Sequence, residues 1–388
     1  MSPENKGLAR AKEIGQERTL RVKELRAEGK RIIGYPCIYV PVEILTAVGS
    51  VPFRILGDMR EPVIAADRAL PTSFCPLMRS CLDVALKGKD EFLDGVVMAH
   101  SCDPQEKTAR VWESYVSYPY FYFIDVPGTT HKEELLYYRG ELDNFKTTLE
   151  AFTGQEISAD KLNEAIRSHN QQRALVRELY ELRKPAPPLI SGVETVQVIK
   201  ALASLPVDEG NELLTQVIAE VKERKGSPEE KPVRLLLYGA TIDSVAMMEI
   251  LESHADVVMD EHCLGIRAYQ RDVKLTDDPL DGLAYHYLAE ITAARTYREA
   301  VYGEASKDYK ADLESRFGYL KKLINEWNVT GVIILLARYC DPFAFEVPSL
   351  KDYLDNINVP SIYIEHDYTE GILAPLATRV EAFGEMLS

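Results

Sequence analysis

The feature of this chain that most restricts its fold is an alternation of short apolar strands with helical segments, found once in each half of the sequence. Helical periodicity separates the strand-like segments, and this alternation is typical of parallel sheets covered on both faces. The fold class predicted is therefore α/β, with two Rossmann-like, doubly wound parallel-sheet domains. The strand-like segments are RIIGY (31–35), VPFRIL (51–56), FLDGVVMA (92–99), YFYFIDVP (120–127), VRLLLYG (233–239), ADVVMDE (255–261), VTGVIILLA (329–337) and VPSIYIEHD (359–367).

Two further segments differ from these alternating regions in charge and in periodicity. The first 30 residues are charged and have helical periodicity, and residues 132–230 carry long charged helical periods. A chain of 388 residues suits two or three domains. The predicted organisation is an N-terminal helix (1–30), a first α/β domain (31–131), a helical subdomain (132–230) and a second α/β domain (231–388).

Composition narrows the class of protein. The formal net charge of -16 argues against a nucleic-acid partner, which would require a basic surface. No apolar run reaches the roughly 20 residues of a membrane span. The charged N-terminus lacks the apolar core of a secretory signal. We therefore expect a cytoplasmic protein that binds neither nucleic acid nor membrane.

The six cysteines carry the strongest functional signal. In the cytoplasm thiols stay reduced, so a disulfide framework is not expected, and each cysteine taken alone fits an inert, buried thiol. As a set they are less ordinary, because four of them follow the carboxyl ends of predicted strands, the edge of an α/β sheet where ligands gather. The four are Cys37, Cys102, Cys263 and Cys340.

The remaining two cysteines lie in FCPLMRSC, at the start of a predicted helix. Cys75 occupies the helix boundary, where the free amides and the macrodipole favour a thiolate. Cys81 follows six residues later, about 600° around the helix, so the two side chains point in different directions. They could bind different irons of a cluster, but they do not form a chelating pair.

Metal-binding alternatives differ in the spacing that they require. Structural zinc favours CxxC pairs, and the chain contains none. The compact ferredoxin run of cysteines is absent as well. Ligands scattered along the chain suit a larger iron–sulfur cluster between domains. A zinc or thiol scaffold that binds a partner without catalysis stays open as a hypothesis from another class.

Polar residues near the same predicted edges are secondary candidates. Glu365 and His366 end a predicted strand and could deliver protons, although ordinary loop polarity also explains them. Arg79 and Arg267 are expected to face solvent rather than to offset cluster charge. The others are Glu43 as a helix-dipole partner rather than a cleft acid, His262 as a hydrogen-bond donor to sulfur or a packing residue, and His100 and Ser101 as residues that shape the pocket beside Cys102.

Several motifs, in a fixed order, resemble the benzoyl-CoA reductase and 2-hydroxyacyl-CoA dehydratase family, whose relatives include the double-cubane cluster proteins. The resemblance covers nearly the whole chain from about residue 31, and it implies two Rossmann-like lobes with a cluster in the cleft between them. The motifs are GYPCIYVPVEILTAVGSVPFRILG, FCPLMRSCLDVALKG, FLDGVVMAHSCDP, DEHCLGIR, RYCDP and VPSIYIEHDYTEGILAPLATRVEAFGEML.

The resemblance also implies ligands and partners. In the dehydratases three cysteines hold a [4Fe–4S] cluster, and their motif positions match Cys75, Cys102 and Cys340. An ATP-hydrolysing activator, itself a [4Fe–4S] protein, supplies the electron. This chain departs from the dehydratase pattern by also having Cys37, Cys81 and Cys263.

Six thiolates match the two cubanes of an [8Fe–9S] double-cubane centre. We therefore expect a homodimeric, low-potential iron–sulfur oxidoreductase that takes electrons from the activator and reduces a small-molecule substrate. The alternative is a [4Fe–4S] subunit of a 2-hydroxyacyl-CoA dehydratase, a lyase, or of a benzoyl-CoA reductase. That alternative requires a heterodimer with a related subunit.

Overall fold

Two four-stranded parallel sheets form the centre of the molecule. The computed structural model describes residues 6–225, 231–299 and 308–388. The strand orders are β2-β1-β3-β4 and β6-β5-β7-β8, so both sheets have the same topology. This confirms the predicted α/β class with two Rossmann-like domains. The strands are β1 (Ile32–Tyr35), β2 (Val51–Arg54), β3 (Gly95–Ala99), β4 (Tyr120–Ile124), β5 (Arg234–Gly239), β6 (Asp256–Glu261), β7 (Gly331–Ala337) and β8 (Ser361–His366).

Most strands are largely buried because helices cover the faces of each sheet, although β6 and β8 also carry charged residues. All seven residues of β7 are buried, as are all six of β5 and β6. Since all pairings are parallel, the carboxyl ends of each sheet's strands lie at one edge. The order reverses between β1 and β3 and again between β5 and β7, and such switch points form crevices that bind ligands.

Helices connect the strands and cover the sheets. The predicted N-terminal helix is two helices, separated at Glu17, whose φ of -112° and ψ of 52° interrupt the helical geometry. No helix of the described residues is long and apolar enough to cross a membrane. The helices are α1 (Lys6–Gln16), α2 (Arg18–Ala27), α3 (Val42–Ala47), α4 (Pro76–Leu86), α5 (Asp103–Tyr115), α6 (Lys132–Thr153), α7 (Ala159–Glu181), α8 (Gly192–Leu202), α9 (Val207–Glu223), α10 (Val245–Leu251), α11 (Pro279–Tyr285), α12 (Tyr309–Glu326), α13 (Asp341–Ala344), α14 (Val347–Asn356) and α15 (Leu373–Leu387).

The helical segment between the sheets contributes to both cores. Phe145 of α6 and Ile166 of α7 belong to the apolar cluster that includes Val97 of β3. Val198 of α8 and Leu213 of α9 belong to the cluster of the second sheet. The domain boundaries stay a prediction, and residues 226–230 and 300–307 of the predicted helical regions lie outside the described residues.

After β6 the chain returns to the first sheet. Leu283 of α11 and Leu288, in a π-helical turn formed by His286–Glu290, pack in the same cluster as Ile33 of β1. The segment that follows β6 therefore runs between the two sheets. This path places Cys263, which also contacts both clusters, at the boundary between them.

Candidate functional site

Four cysteines follow the carboxyl ends of strands. Cys37 lies just after β1, Cys102 after β3, Cys263 after β6 and Cys340 after β7. All six cysteines of the chain are free thiols, and none is exposed. The edges that carry the thiols are the ligand-binding edges of the two sheets.

Three cysteines occupy the same local structure, the N-cap of a helix with proline in its first turn. Cys75 caps α4, Cys102 caps α5 and Cys340 caps α13. Proline removes an amide hydrogen that has no partner in the helix, and the remaining first-turn amides can donate to sulfur. At α5 the backbone nitrogen of Gln105 donates to Cys102 Sγ at 3.4 Å. Burial raises the pKa of each of these thiols, and the first-turn amides offset a small part of that increase.

Cys102 and Cys340 are equivalent in the two sheets. Each begins the tripeptide Cys-Asp-Pro, and each follows the third strand of its sheet, β3 or β7. The strand orders match, so both tripeptides occupy the same place relative to the switch point. The two lobes therefore present corresponding helix starts at their ligand-binding edges.

Electrostatic interactions join these three thiols. Burial raises the pKa of Cys102 to about 12, with further increases from Cys75 and Cys37. Burial likewise raises the pKa of Cys340 well above its ordinary value, with smaller contributions from Cys75, Cys102 and Cys263. Thiols from α4, α5 and α13 thus lie near enough to oppose one another's ionisation.

The other three thiols, those of Cys37, Cys81 and Cys263, also interact electrostatically with members of this set. Burial raises the pKa of Cys37, and the neighbouring Cys263 adds a small further increase to that pKa. Burial also raises the pKa of Cys81, followed by contributions from Asp243 and Cys75. The thiols of all six cysteines therefore form one connected set.

The donor set can accommodate a thiolate-bound cluster. Burial raises the pKa of five of the six thiols, and metal coordination deprotonates such groups. Among the described residues, no three His, Cys, Asp or Glu side chains form a group that could hold one metal ion. In a cubane each thiolate binds a different iron, so cluster ligands do not converge on a single point. The ligand assignments from the sequence stay predictions.

Two side chains donate hydrogen bonds to this set of thiols. Burial raises the pKa of Cys37 and of Cys102, and a hydrogen bond from the Ser101 hydroxyl partly offsets each increase. Nη1 of Arg267 donates to Cys263 Sγ at 3.4 Å. Arg267 is only 2% exposed and forms an ion pair with Glu261. The expectation that Arg267 faces solvent is therefore wrong, because the chain turns back between the sheets at this point.

Arg79 and His100 pair with carboxylates. Arg79 is mostly buried and pairs with Asp67, so its expected solvent-facing position is also wrong. Burial raises the pKa of Cys75, and the positive charge of Arg79 offsets a small part of that increase. His100 Nδ1 lies 2.9 Å from Asp125 Oδ1. Asp67 therefore balances the positive charge of Arg79, and Asp125 is the partner of His100.

His262 is held by the backbone rather than by sulfur. Its Nδ1 accepts hydrogen bonds from the backbone nitrogens of Leu264 at 3.2 Å and Gly265 at 3.0 Å. Its Nε2 lies 3.4 Å from Asp260 Oδ2. Of the two predicted roles, these contacts favour packing.

Glu365 and His366 end β8 and differ in environment. Glu365 is exposed and accepts a hydrogen bond from the Tyr363 hydroxyl at 2.7 Å. His366 is buried, and burial lowers its pKa to about 4. Its Nδ1 accepts from the backbone nitrogen of Tyr368. Near neutral pH His366 is uncharged, and proton delivery by either residue stays a prediction.

Glu43 lies in the first turn of α3, but it is more than a helix-dipole partner. The side chain is 0% exposed and accepts from Arg173 Nη2 at 2.5 Å and from the Tyr287 hydroxyl at 2.8 Å. Arg173 and Tyr287 also line a cavity of about 90 Å³ that Cys263 borders. The buried ion pair therefore forms part of the wall next to the thiols.

Sequence patterns gave no signal for Tyr368 and Asp243. The hydroxyl of Tyr368 donates to both Asp243 oxygens, at 3.0 and 2.8 Å, and both residues are buried. Asp243 lines a larger cavity of about 580 Å³ and lies near Cys81. Tyr368 and Tyr339 both have positive φ, 56° and 58°, and each follows the carboxyl end of a strand. Strained backbone of this kind occurs preferentially at functional sites.

The fold and the thiol-lined edges define a two-lobed α/β protein with a candidate metal centre, and comparison with known proteins identifies its family. The family model "2-hydroxyglutaryl-CoA dehydratase, D-component" matches residues 37–387. The chain belongs to this family of dehydratase and reductase subunits, which confirms the resemblance found in the sequence.

Three relatives match over nearly their full length. A benzoyl-CoA reductase subunit of Thauera aromatica is 26% identical over 92% of this chain and 91% of its own. The (R)-phenyllactyl-CoA dehydratase beta subunit of Clostridium sporogenes is 24% identical over 94% of each. The beta subunit of (R)-2-hydroxyglutaryl-CoA dehydratase from Acidaminococcus fermentans is 24% identical over 93% of this chain and 94% of its own.

Proposed function

We propose that this chain is an iron–sulfur oxidoreductase that holds an [8Fe–9S] double-cubane cluster on its six cysteines. It receives low-potential electrons from an ATP-hydrolysing [4Fe–4S] activator and reduces a small-molecule substrate. The observation that carries the proposal is that four of the six thiols follow the carboxyl ends of strands, that the other two lie on α4, and that the thiols interact electrostatically with one another. A double cubane with three protein ligands for each half would use every one of them.

The protein would supply the environment of the cluster. Cys75, Cys102 and Cys340, at their helix N-caps, would hold one half, and the remaining cysteines would hold the other. The cluster would supply one-electron transfer at low potential, because burial and thiolate charge disfavour the reduced state. Ser101 and Arg267 donate to thiol sulfur and would partly offset that charge.

Iron and sulfide analysis of anaerobically prepared protein tests the proposal. We expect about eight irons per chain, since the [8Fe–9S] centre contains two cubanes. Cys81→Ser and Cys263→Ser should each lower the iron content and alter the electron paramagnetic resonance spectrum. Leu86→Ser, a control at the other end of α4, should keep the full iron content. Full iron content in both cysteine variants would contradict the double-cubane assignment.

A second candidate function is favoured by the names of the relatives. They are subunits of benzoyl-CoA reductase and of 2-hydroxyacyl-CoA dehydratases, and they align over more than nine-tenths of their length. On this alternative the chain holds one [4Fe–4S] cluster on Cys75, Cys102 and Cys340 and pairs with a related subunit. It predicts about four irons per chain. A colourless, iron-free protein would contradict both candidates and favour a thiol or zinc scaffold.

A further inference from the structure

Arg54 is a buried cation at the edge that carries the thiols. It is the last residue of β2, it is 4% exposed, and in the sheet it lies opposite Tyr35 of β1. Its guanidinium carbon lies 5.4 Å from the centre of the Tyr35 ring. Cys37 lies two residues after Tyr35. The side chain of Arg54 therefore lies at the edge of the first sheet that carries the thiols.

No carboxylate neutralises this cation in the described part of the chain. The side chain of Arg54 forms no ion pair or hydrogen bond there, and its Nε is buried without a partner. A buried charge without a counter-charge is costly, which is why buried cations are normally paired. Three other buried arginines follow this rule, since Arg173 pairs with Glu43, Arg183 with Asp260 and Arg267 with Glu261. The buried Arg234 donates to backbone carbonyls.

The groups around Arg54 indicate which anions would balance its positive charge. Burial raises the pKa of Cys37 and of Cys81, and the positive charge of Arg54 opposes both increases, which places it near thiols of two different elements. Arg54 also lines the small cavity that Cys263 borders. Arg18 is another cation beside it, and its pKa is lowered to about 10, chiefly by burial and in smaller part by the like charge of Arg54. Ionised thiolates would therefore remove the charge imbalance.

We propose that Arg54 is a positioning residue that compensates the negative charge of the metal–thiolate centre and raises its reduction potential. This inference rests on the proposed iron–sulfur function. Adding an electron makes the centre more negative, so a fixed cation stabilises the reduced form more than the oxidised form. The interaction is strong because the site is buried and a low dielectric screens it little.

Potentiometric titration followed by electron paramagnetic resonance measures this effect directly. In the iron-loaded protein, Arg54→Gln should lower the midpoint potential, with a shift of about tenfold in the redox equilibrium, equivalent to ~59 mV for one electron. Arg54→Lys keeps the charge and should retain most of the wild-type potential. Arg79→Gln is the matched control, because the charge of Arg79 is already offset by Asp67, and its shift should be smaller.

Unfolding of metal-free and loaded protein gives a second measurement that does not depend on activity. Arg54→Met removes an unpaired buried charge, so without metal it should unfold at the same temperature as wild type or higher. Loading should then raise the melting temperature of wild type more than that of Arg54→Met.

Several outcomes would overturn the role of Arg54. These are equal potentials for wild type and Arg54→Gln, a metal-free Arg54→Met that is less stable than wild type, and folded Arg54→Gln and Arg54→Lys that both lose iron. Loss of iron from Arg54→Gln alone would support the role, since Arg54→Lys keeps the positive charge and Arg54→Gln removes it. Iron-free wild-type protein would instead contradict the proposed function itself, and with it this inference.

Discussion

The buried ion pair between Glu43 and Arg173 should be a strong determinant of stability beside the thiols. It joins α3 to α7, and Tyr287 from the segment after β6 donates to the same carboxylate. The pair thus connects elements that follow β1 and β6, the two strands that precede Cys37 and Cys263. We predict that Arg173→Met destabilises the protein strongly because it leaves Glu43 charged and buried.

The magnitude follows from the pKa of Glu43. Burial alone would raise this pKa, but the charge and hydrogen bond of Arg173, together with His169 once its ring is protonated, lower it from 4.5 to about 2. At 1.36 kcal/mol per pKa unit, this difference corresponds to about 3 kcal/mol that favours the folded state when the carboxylate is ionised. Removing one partner of a buried ion pair typically costs about 3–5 kcal/mol, which is of similar size.

A double-mutant cycle with denaturant unfolding at pH 7 measures this coupling. Arg173→Met should cost about 3–5 kcal/mol. Glu43→Gln combined with Arg173→Met should cost much less than the sum of the two single changes. Arg177→Met is a control one turn later on α7, where a partly exposed arginine pairs with Asp272 at 2.9 Å. It should cost at most about 1 kcal/mol, as surface pairs do.

The ion pair also determines how stability depends on pH. The folded-state pKa of Glu43 is lowered, so its contribution is fully present above the ordinary value of 4.5 and is lost as the pH falls toward 2. In Arg173→Met the deficit should shrink as the solution is acidified and Glu43 becomes protonated. Additive single effects, or a cost for Arg173→Met no larger than that of the control, would refute the coupling.

Two further predictions concern acid stability and backbone strain, and thermal unfolding tests both. Burial lowers the pKa of His169 to about 4, so the stability that this neutral ring provides should be lost as pH falls from 6.5 toward 4. His169→Gln should flatten that dependence, and an unchanged slope would exclude the assignment. Tyr339→Gly should stabilise by about 1 kcal/mol by relieving its positive φ. Tyr368→Gly should instead destabilise, since it loses the hydrogen bond to buried Asp243, and equal effects would contradict this account.

Sequence periodicity predicted the strands well because most strands are buried along nearly their whole length. The run GVIILLA of β7 is apolar at every position, and every position is buried. Such runs together with helical spacing define strands and helices through local chemistry alone. The single predicted N-terminal helix was less accurate, since the break at Glu17 has no proline or loop sequence to mark it.

The positions of the thiols were easier to predict than the residues around them. A cysteine that follows an apolar run must lie at the carboxyl end of a strand, whichever other segments pack nearby. The environments of Arg267 and Arg54 depend instead on contacts between distant segments. Arg267 is buried because the chain turns back between the sheets, and its neighbours Gly239 and Glu261 belong to other elements, the strands β5 and β6. No local pattern encodes such contacts.

The matching Cys-Asp-Pro segments after β3 and β7 bear on how a shared centre would assemble. Each lobe forms its own helix start from local sequence, so Cys102 and Cys340 can be positioned within their lobes before any metal binds. The distance between the two sulfurs, however, depends on how the lobes pack against each other. A cluster bound by both would therefore link the lobes, and its loss should loosen their contact more than it disturbs either sheet. By this reasoning, hydrogen exchange in metal-free protein should increase at the facing edges before it increases in β5 or β7.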